Sequence, residues 1–377
     1  MQKEVAIISV KKLNPDSGGV GGTQAVVLWI LEALKGEYQL TLYCRDEPLQ
    51  LQRLNQLYGT NLSASDFRQV RITSPRLPKR LFLLERSLLL RRLRKTFRTE
   101  QYAAVVSADK EIDLGRKVIQ YLHHPVIDIY IKDDSRADVM HKTYHRVCAA
   151  ISGVTWEGLK HNISLTNSSY SAKILERRYG IKASVVYPPT LVNASGVLPW
   201  NERKDMFVMI ARLSPEKRIE DAVKILQRIR ETHPDTELAL IGPDNGSVYA
   251  QRLRDMLARH AWVHYLGSQR KTEIGKIFDN VRYFINTRQD EPFGMVVAEA
   301  QSVGVIPFVF DGGGQTEIVA DPRLVFSSED DAVEKIESVM GDEHLQSQLA
   351  SAGLEKRKAF SPTAFSDTIR CIMKEAI

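Results

Sequence analysis

Two carboxylates stand near the C-terminus of this chain at a spacing that could hold a large polar ligand. In NTRQDEPFGMVVAEAQSVGVIPFVFDGGGQTEIV, Glu291 and Glu299 are separated by seven residues and straddle an expected strand-to-helix turn. The passage then runs through another strand into the glycine run Gly312–Gly314. With Pro292 and Gly294 at the helix mouth, Glu299 falls about 8–9 Å further along the axis at helical rise. Acids so placed can grip two parts of an extended ligand whose anionic centre faces the helix N-terminus, the layout of a nucleotide sugar.

A second group is IARLSPEKRIEDAVKIL, where a strand ending at Ala211 is followed by Arg212, and Ser214–Pro215 reads as the start of a helix near Lys217. Ser214 suits an N-cap and Pro215 a first helical position. Two fixed cations beside a helix N-terminus can neutralise a departing diphosphate without a divalent metal. Taken alone, the plainer reading is a solvated Arg and Lys beside Glu216 and Glu220.

A third is the loop NPDSGGVGGTQAVVLWILEAL between a first strand and a helix. Gly18, Gly19, Gly21 and Gly22 permit close backbone approach to phosphate, but the spacing fits neither the dinucleotide fingerprint nor a Walker loop. The fourth is VIQYLHHPV, a strand ending in His123–His124–Pro125. A histidine there could bond a sugar hydroxyl or position a reacting centre, against the plainer reading of two capping or surface histidines. No cysteine or paired carboxylate lies at zinc spacing, so no metal site is expected.

These groups need rigid supports, and the hydrophobic pattern supplies them. Expected strands in the C-terminal half are Phe207–Ala211, Leu238–Gly242, Trp262–Leu266, Tyr283–Asn286, Ile306–Phe310 and Leu324–Phe326. Helical patterns at about Pro215–Glu231, Val248–His260, Thr272–Asp279 and Gly294–Ser302 alternate with them. The N-terminal half repeats the style with Val5–Val10, Gln39–Tyr43, Val70–Ile72, Ala104–Ser107, Val118–Leu122, Ile163–Asn167 and Ala183–Tyr187. Such alternation predicts α/β domains with parallel, doubly wound sheets, whose ligands bind beyond the strands' C-terminal ends.

At 377 residues the chain accommodates two such domains. Pro188, Pro189, Asn193, Gly196 and Pro199 break both periodicities and place a hinge at about 188–203. The expected division is a first domain at 1–190, a hinge at 191–203 and a second domain at 204–361, with a final amphipathic helix over 362–377 that no strand follows and that is free to pack away from the second sheet. Fifty-two basic against 46 acidic residues give a net charge of +6, too modest on its own to argue for nucleic acid. Cys44, Cys148 and Cys371 are scattered, which suggests a reducing compartment, and MQKEVAIISV reads as a first strand rather than a signal peptide. No apolar run approaches transmembrane length. A cytoplasmic location follows as the expectation, with a peripheral position at the membrane face as its variant.

Arg212 with Lys217, Glu291 with Glu299, GGGQTEIV and Gly21–Gly22 together resemble the retaining GT-B glycosyltransferases of the family-4 type, the glycosyl transferases group 1. The resemblance is strongest over roughly 205–320. It implies two Rossmann-like domains facing across a cleft, with a nucleotide-sugar donor held mainly by the C-terminal one, no other cofactor, and a last helix, 362–377, that crosses back to the first domain. Position by position, Arg212 and Lys217 would bind the donor diphosphate, Glu291 would contact the hexose, and Glu299 would hold the ribose hydroxyls. Amides after Phe293, at Gly294, Met295 and Val296, would touch sugar or phosphate, and Gly22, beside Gly21, would approach the diphosphate from the other domain. His123 matches the family's cleft histidine, and Ser268 and Gln269 would lie near the base. The family's retention is explained by front-face attack, so Glu291 is not expected to be a nucleophile.

The implied partners are a UDP- or GDP-hexose and a glycan or lipid-linked acceptor recognised by N-terminal loops, including residues 128–140. A basic stretch, Leu77–Arg98, adds an anionic membrane surface as a candidate, against an ordinary helix with its leucines in the core. Nucleic acid is not expected, because Phe82 and Phe97 form no stacking platform. Competing functions are a GT-B-like sugar-nucleotide epimerase and a non-catalytic nucleotide-sugar-binding subunit.

Overall fold

The computed structural model describes residues 2–15, 21–46, 48–75, 77–124, 139–191 and 196–377. Gly18, Gly19, Pro125, Asn193 and residues 128–138 of the expected acceptor loop therefore lie outside the described residues. The chain forms two compact units, Met1–Pro189 with Pro362–Ile377 and Thr190–Ser361.

In the first unit the strands are β1 (Glu4–Ile8), β2 (Gln39–Cys44), β3 (Phe67–Arg71), β4 (Ala104–Ser107), β5 (Ile119–Leu122), β6 (Ile163–Thr166) and β7 (Ala183–Val185). They make one sheet in the order β3-β2-β1-β4-β5-β6-β7, and every pairing is parallel. Val5 to Ile8 are all buried, as expected for a central strand covered on both faces. The helix Gly22–Leu34 is almost wholly apolar and packs against the last helix, Pro362–Ala376, which buries Phe365, Ile369 and Met373.

The second unit contains β8 (Lys204–Ile210), β9 (Glu237–Ile241), β10 (Val263–Tyr265), β11 (Val281–Asn286), β12 (Ile306–Phe310) and β13 (Val325–Phe326). Their order is β10-β9-β8-β11-β12-β13, again all parallel. On one face Phe207 of β8 stacks on Tyr283 of β11 at 4.9 Å between ring centroids, and Phe308 of β12 tilts against both. Residues 196–203 are tied to this unit: the Gly196 amide donates to Asp279, and Arg203 donates to the Val303 carbonyl at 3.1 Å.

Both sheets change direction at the same place. The chain runs outward from β1 to β2 and β3, then returns to the other side at β4; β8, β9, β10 and β11 repeat the manoeuvre. A crevice opens at such a switch point because the two flanking loops leave in opposite directions.

The Leu77–Arg98 stretch forms a turn followed by the helix Phe82–Thr99. Its Leu83, Leu89, Leu90, Leu93 and Phe97 are buried in the core of the first unit. Those leucines are thus not available to enter a headgroup layer, and the expectation of leucine insertion fails there. Arg91, Arg92, Lys95 and Arg98 form the exposed face, and Phe82 is exposed at the helix start. Among the described residues no helix is long and apolar enough to cross a membrane.

Candidate active site

Several of the expected site residues of the second unit lie in the turns that follow β8 and β11, at its switch point. Just past β8, Gly242 at the end of β9 lies against the turn: a Cβ there would come 1.9 Å from the Ala211 carbonyl oxygen. That close approach fixes where Arg212 leaves the sheet. The next segment departs from the expected helix. Pro215–Lys217 is a single 3-10 turn, Arg218 is left-handed at φ 50°, and the α-helix begins only at Ile219. Ser214 caps no backbone amide; its hydroxyl donates to Glu216 at 2.7 Å.

The left-handed Arg218 costs of the order of 1–2 kcal/mol for a residue with a Cβ. The Thr287 hydroxyl, which follows β11, offsets part of this by bonding the Lys217 and Arg218 carbonyls at 3.0 and 2.7 Å. Arg218 also lies over the Phe310 ring at 5.2 Å and pairs with Asp221. The turn so held directs Lys217 toward the end of β11.

There the Lys217 ammonium sits 3.0 Å from the Glu291 carboxylate, and Arg288 reaches the same oxygen, Oε2, at 3.2 Å. These side chains are 15–20% exposed, so the cluster is only partly screened by water. Two cations on one carboxylate leave excess positive charge, and among the described residues no hydrogen bond reaches Glu291 Oε1. Arg212 is placed differently. Its side chain is 66% exposed and pairs with Glu216 at 3.2 Å, so here the plainer solvated reading describes its surroundings. The Ser214 hydroxyl, then Arg212 and Arg288, hold the Glu216 carboxyl below its ordinary range.

The backbone of Glu291 is locked to the glycine run. Glu291 bridges Gly313 in parallel, and Gly314 N–H donates to its carbonyl at 2.8 Å. Gln315, fully buried, organises the same corner: its amide nitrogen donates to the carbonyls of Arg288 and Phe310, both at 2.8 Å, and its oxygen accepts from Asn286. Gly294 at φ 101° leads into the helix Met295–Gln301, whose first amides, at Met295 and Val296, have no intrahelical acceptor. Phe293 is buried against Phe360. Glu299, 8% exposed, pairs with Lys271 at 2.7 Å. Ser268 and Gln269 sit in the loop after β10, with Gln269 bonded to the Leu266 carbonyl.

Lys217 and Glu291 are therefore brought together from the expected set. Arg288, Lys271 and Gln315 are the partners of this set that sequence reasoning missed. Arg288 had a signal, standing three residues before Glu291; Lys271 had none, being 28 positions from Glu299.

The expected residues of the first unit have more constrained settings. Gly21 N–H already donates to the Tyr58 hydroxyl at 3.0 Å, whereas Gly22 opens the helix Gly22–Leu34, which has no acid in its first turn. His123 is buried beside the Tyr121 ring at 4.7 Å, and its Nε2 donates to the Ala108 carbonyl at 3.0 Å. Burial pushes its pKa down to about 3, so the imidazole is neutral near pH 7, with Nδ1 as the acceptor.

Two all-parallel sheets with these strand orders define the GT-B class of fold. Residues 193–356 match the family described as glycosyl transferases group 1, and the second unit belongs to that family. The chain is 20% identical over 304 residues to the GDP-Man:Man(3)GlcNAc(2)-PP-Dol alpha-1,2-mannosyltransferase of Dictyostelium discoideum, covering 70% of this chain and 60% of that protein. It is 25% identical over 193 residues to the phosphatidylinositol N-acetylglucosaminyltransferase gpi3 subunit of Schizosaccharomyces pombe, covering 50% and 42%. The chain spans 60% or less of the length of these curated relatives. Among solved structures, HepE of Anabaena with UDP and glucose superposes with a TM-score of 0.69 at 16% identity, covering 99% of each chain. WaaG, a glycosyltransferase involved in lipopolysaccharide biosynthesis, gives 0.67 at 14%, covering 97% of this chain and 99% of its own. At these identities the likeness speaks for the fold alone.

Proposed function

We propose that this protein is a retaining glycosyltransferase that moves a hexosyl unit from a nucleotide-diphosphate sugar to a glycan or lipid-linked acceptor. The observation that carries the reading is the Lys217–Glu291–Arg288 cluster at the β8/β11 switch point of a group 1 domain. One carboxylate between two cations suits a ligand with a hydroxylated ring on one side and a diphosphate on the other. Lys217, Arg288 and the more exposed Arg212 stabilise negative charge on the leaving diphosphate. Glu291 Oε1 accepts from a hexose hydroxyl, and Glu299 takes the ribose. The amides of Gly294, Met295 and Val296 face sugar or phosphate, and Ser268 and Gln269 lie near the base. In the first unit, Gly21 and Gly22 are assigned to phosphate and neutral His123 to a sugar hydroxyl.

In the proposed step the bond between the anomeric carbon and the diphosphate oxygen breaks, its electron pair leaving with the diphosphate. The acceptor hydroxyl oxygen bonds the anomeric carbon on the same face, and its proton passes to a departing phosphate oxygen. Fixed cations supply the charge stabilisation, so the reading includes activity that survives chelation.

The names of the mannosyltransferase relatives favour a GDP-sugar and a lipid-linked acceptor, that of the Schizosaccharomyces pombe relative favours an N-acetylglucosaminyl donor, and the titles of the HepE structures favour UDP. Both bases are therefore candidates. The cationic face of Phe82–Thr99 supports peripheral attachment to an anionic membrane at the cytoplasmic side, through charge rather than leucine insertion.

The test is a donor screen. Hydrolysis of UDP-glucose, UDP-galactose, UDP-N-acetylglucosamine and GDP-mannose is followed by NMR without acceptor, alongside calorimetry with UDP and GDP. Release of a hexose with retained anomeric configuration, unaffected by EDTA, is expected. Epimerised sugar as the product, or no binding of either nucleotide, overturns the proposal.

A further inference from the structure

The first unit carries its own cationic crevice, and its position repeats that of the cluster just described. Neighbouring strands of its sheet hand off a cation just beyond their C-terminal ends: Arg45 after β2, Lys11 and Lys12 after β1, and Lys110 after β4. Lys11 and Lys110 thus flank the β1/β4 switch point, where Arg212 and Arg288 flank the β8/β11 one. These side chains line a cavity of about 350 Å³ whose other wall includes Phe82 and Leu89. A second cavity of about 360 Å³ shares Lys12 and Arg45 with it.

The lysines are held rather than dangling. Buried Asp109 accepts from the Val10 and Lys11 amides at 3.1 and 2.9 Å and from the Ser9 hydroxyl at 2.7 Å, fixing the turn after β1. Gln24 donates to the Lys12 carbonyl at 3.0 Å, and the Lys11 ammonium donates to the Thr23 hydroxyl at 3.1 Å. Arg45 is balanced by Glu85 at 2.9 Å, and Arg86, which also lines the cavity, is paired with Glu111. Among the described residues, Lys11, Lys12 and Lys110 enter no salt bridge of this kind. Burial lowers the pKa of Lys11, an electrostatic cost that a bound anion would relieve.

We infer that this crevice binds a phosphate or diphosphate group of the acceptor, with the group's organic substituent lying against Phe82 and Leu89. The inference rests on the transferase reading, and it narrows the acceptor to a phosphate ester. The three lysines supply the charge that a tetrahedral dianion needs, and the apolar wall at one side leaves room for a chain or ring.

The experiment uses the full chain and three probes: inorganic pyrophosphate, geranyl diphosphate and geraniol. Binding is measured by calorimetry for the wild type, for Lys11→Gln, and for Lys12→Gln combined with Lys110→Gln. Both diphosphates are expected to bind and to weaken at least tenfold in either variant, while UDP or GDP affinity and melting temperature stay unchanged. Tighter binding of geranyl diphosphate than of pyrophosphate, lost in Phe82→Ala, assigns the phosphate to a lipid; equal binding of the two assigns it to a soluble ester. Diphosphate binding that is absent, or the same in wild type and variants, overturns the inference. So does a loss of UDP or GDP affinity in the Lys12/Lys110 double variant, since the cluster would then serve the donor. The double variant keeps the test open if Lys11→Gln fails to fold. Wild-type protein that binds diphosphate but no nucleotide would refute the donor reading while leaving the anion site standing.

Discussion

Gly313 lies so close to the backbone of Glu291 that a Cβ on it would come 2.2 Å from the Glu291 carbonyl oxygen, and its φ of 107° belongs to glycine. The glycine run is thus a mould for the acidic residue at the site. Gly313→Ala is expected to displace Glu291, lowering turnover at least tenfold and the melting temperature by roughly 4 °C or more. Unchanged kinetics in a folded Gly313→Ala protein would refute this coupling.

Lys217→Met separates catalysis from folding. Arg288 still pairs with Glu291 at 3.2 Å, so no buried carboxylate is orphaned. Turnover is expected to fall about 100- to 1000-fold, the usual effect of losing one fixed transition-state donor. The melting temperature should barely change. Steady-state kinetics beside a thermal melt checks both.

Glu299→Gln should act on binding. Its partner Lys271 is 30% exposed and can rehydrate, so folding is little affected. Loss of a charged hydrogen bond, at about 1.5–3 kcal/mol, should raise the donor KM by roughly ten- to 100-fold with kcat nearly unchanged. A fall in kcat alone would move Glu299 away from the ribose.

His123 gives a pH signature. Its folded pKa is about 3 because burial disfavours the charged ring, against an ordinary value of 6.5. Below pH 6.5 the unfolded chain therefore takes up a proton that the folded protein does not. Stability from this residue is complete above that pH and declines as pH falls toward 3, by about 1.4 kcal/mol per unit. Denaturant melts of wild type and His123→Gln between pH 7 and 4 should converge at the acid end. A constant gap between them would contradict the assignment.

The strands were legible because each is a short apolar run ended by turn residues, and all thirteen expected runs overlap observed strands. Local chemistry misled where tertiary bonds decided the outcome. Ser214–Pro215 has the look of a helix start, yet Thr287, some seventy residues away, bonds the carbonyls around a left-handed Arg218 and delays the helix. Leu77–Arg98 was ambiguous because a core-facing stripe and a membrane-facing stripe share one period; only the fold shows where the leucines go. Gln315 stood in plain view beside the glycines, but its role depends on the carbonyls of Arg288 and Phe310, which no spacing reveals.

The helix Pro362–Ala376 belongs to the first unit, with Arg370 bonded to the Ala33 carbonyl and to Glu37. The first unit is therefore interrupted in the gene by the whole of the second. On the ribosome, residues 190–361 are made before the helix Gly22–Leu34 receives its final neighbour. The unit begun first is finished last, and a chain stopped at 361 would leave that apolar helix uncovered, a substrate for chaperones and proteases.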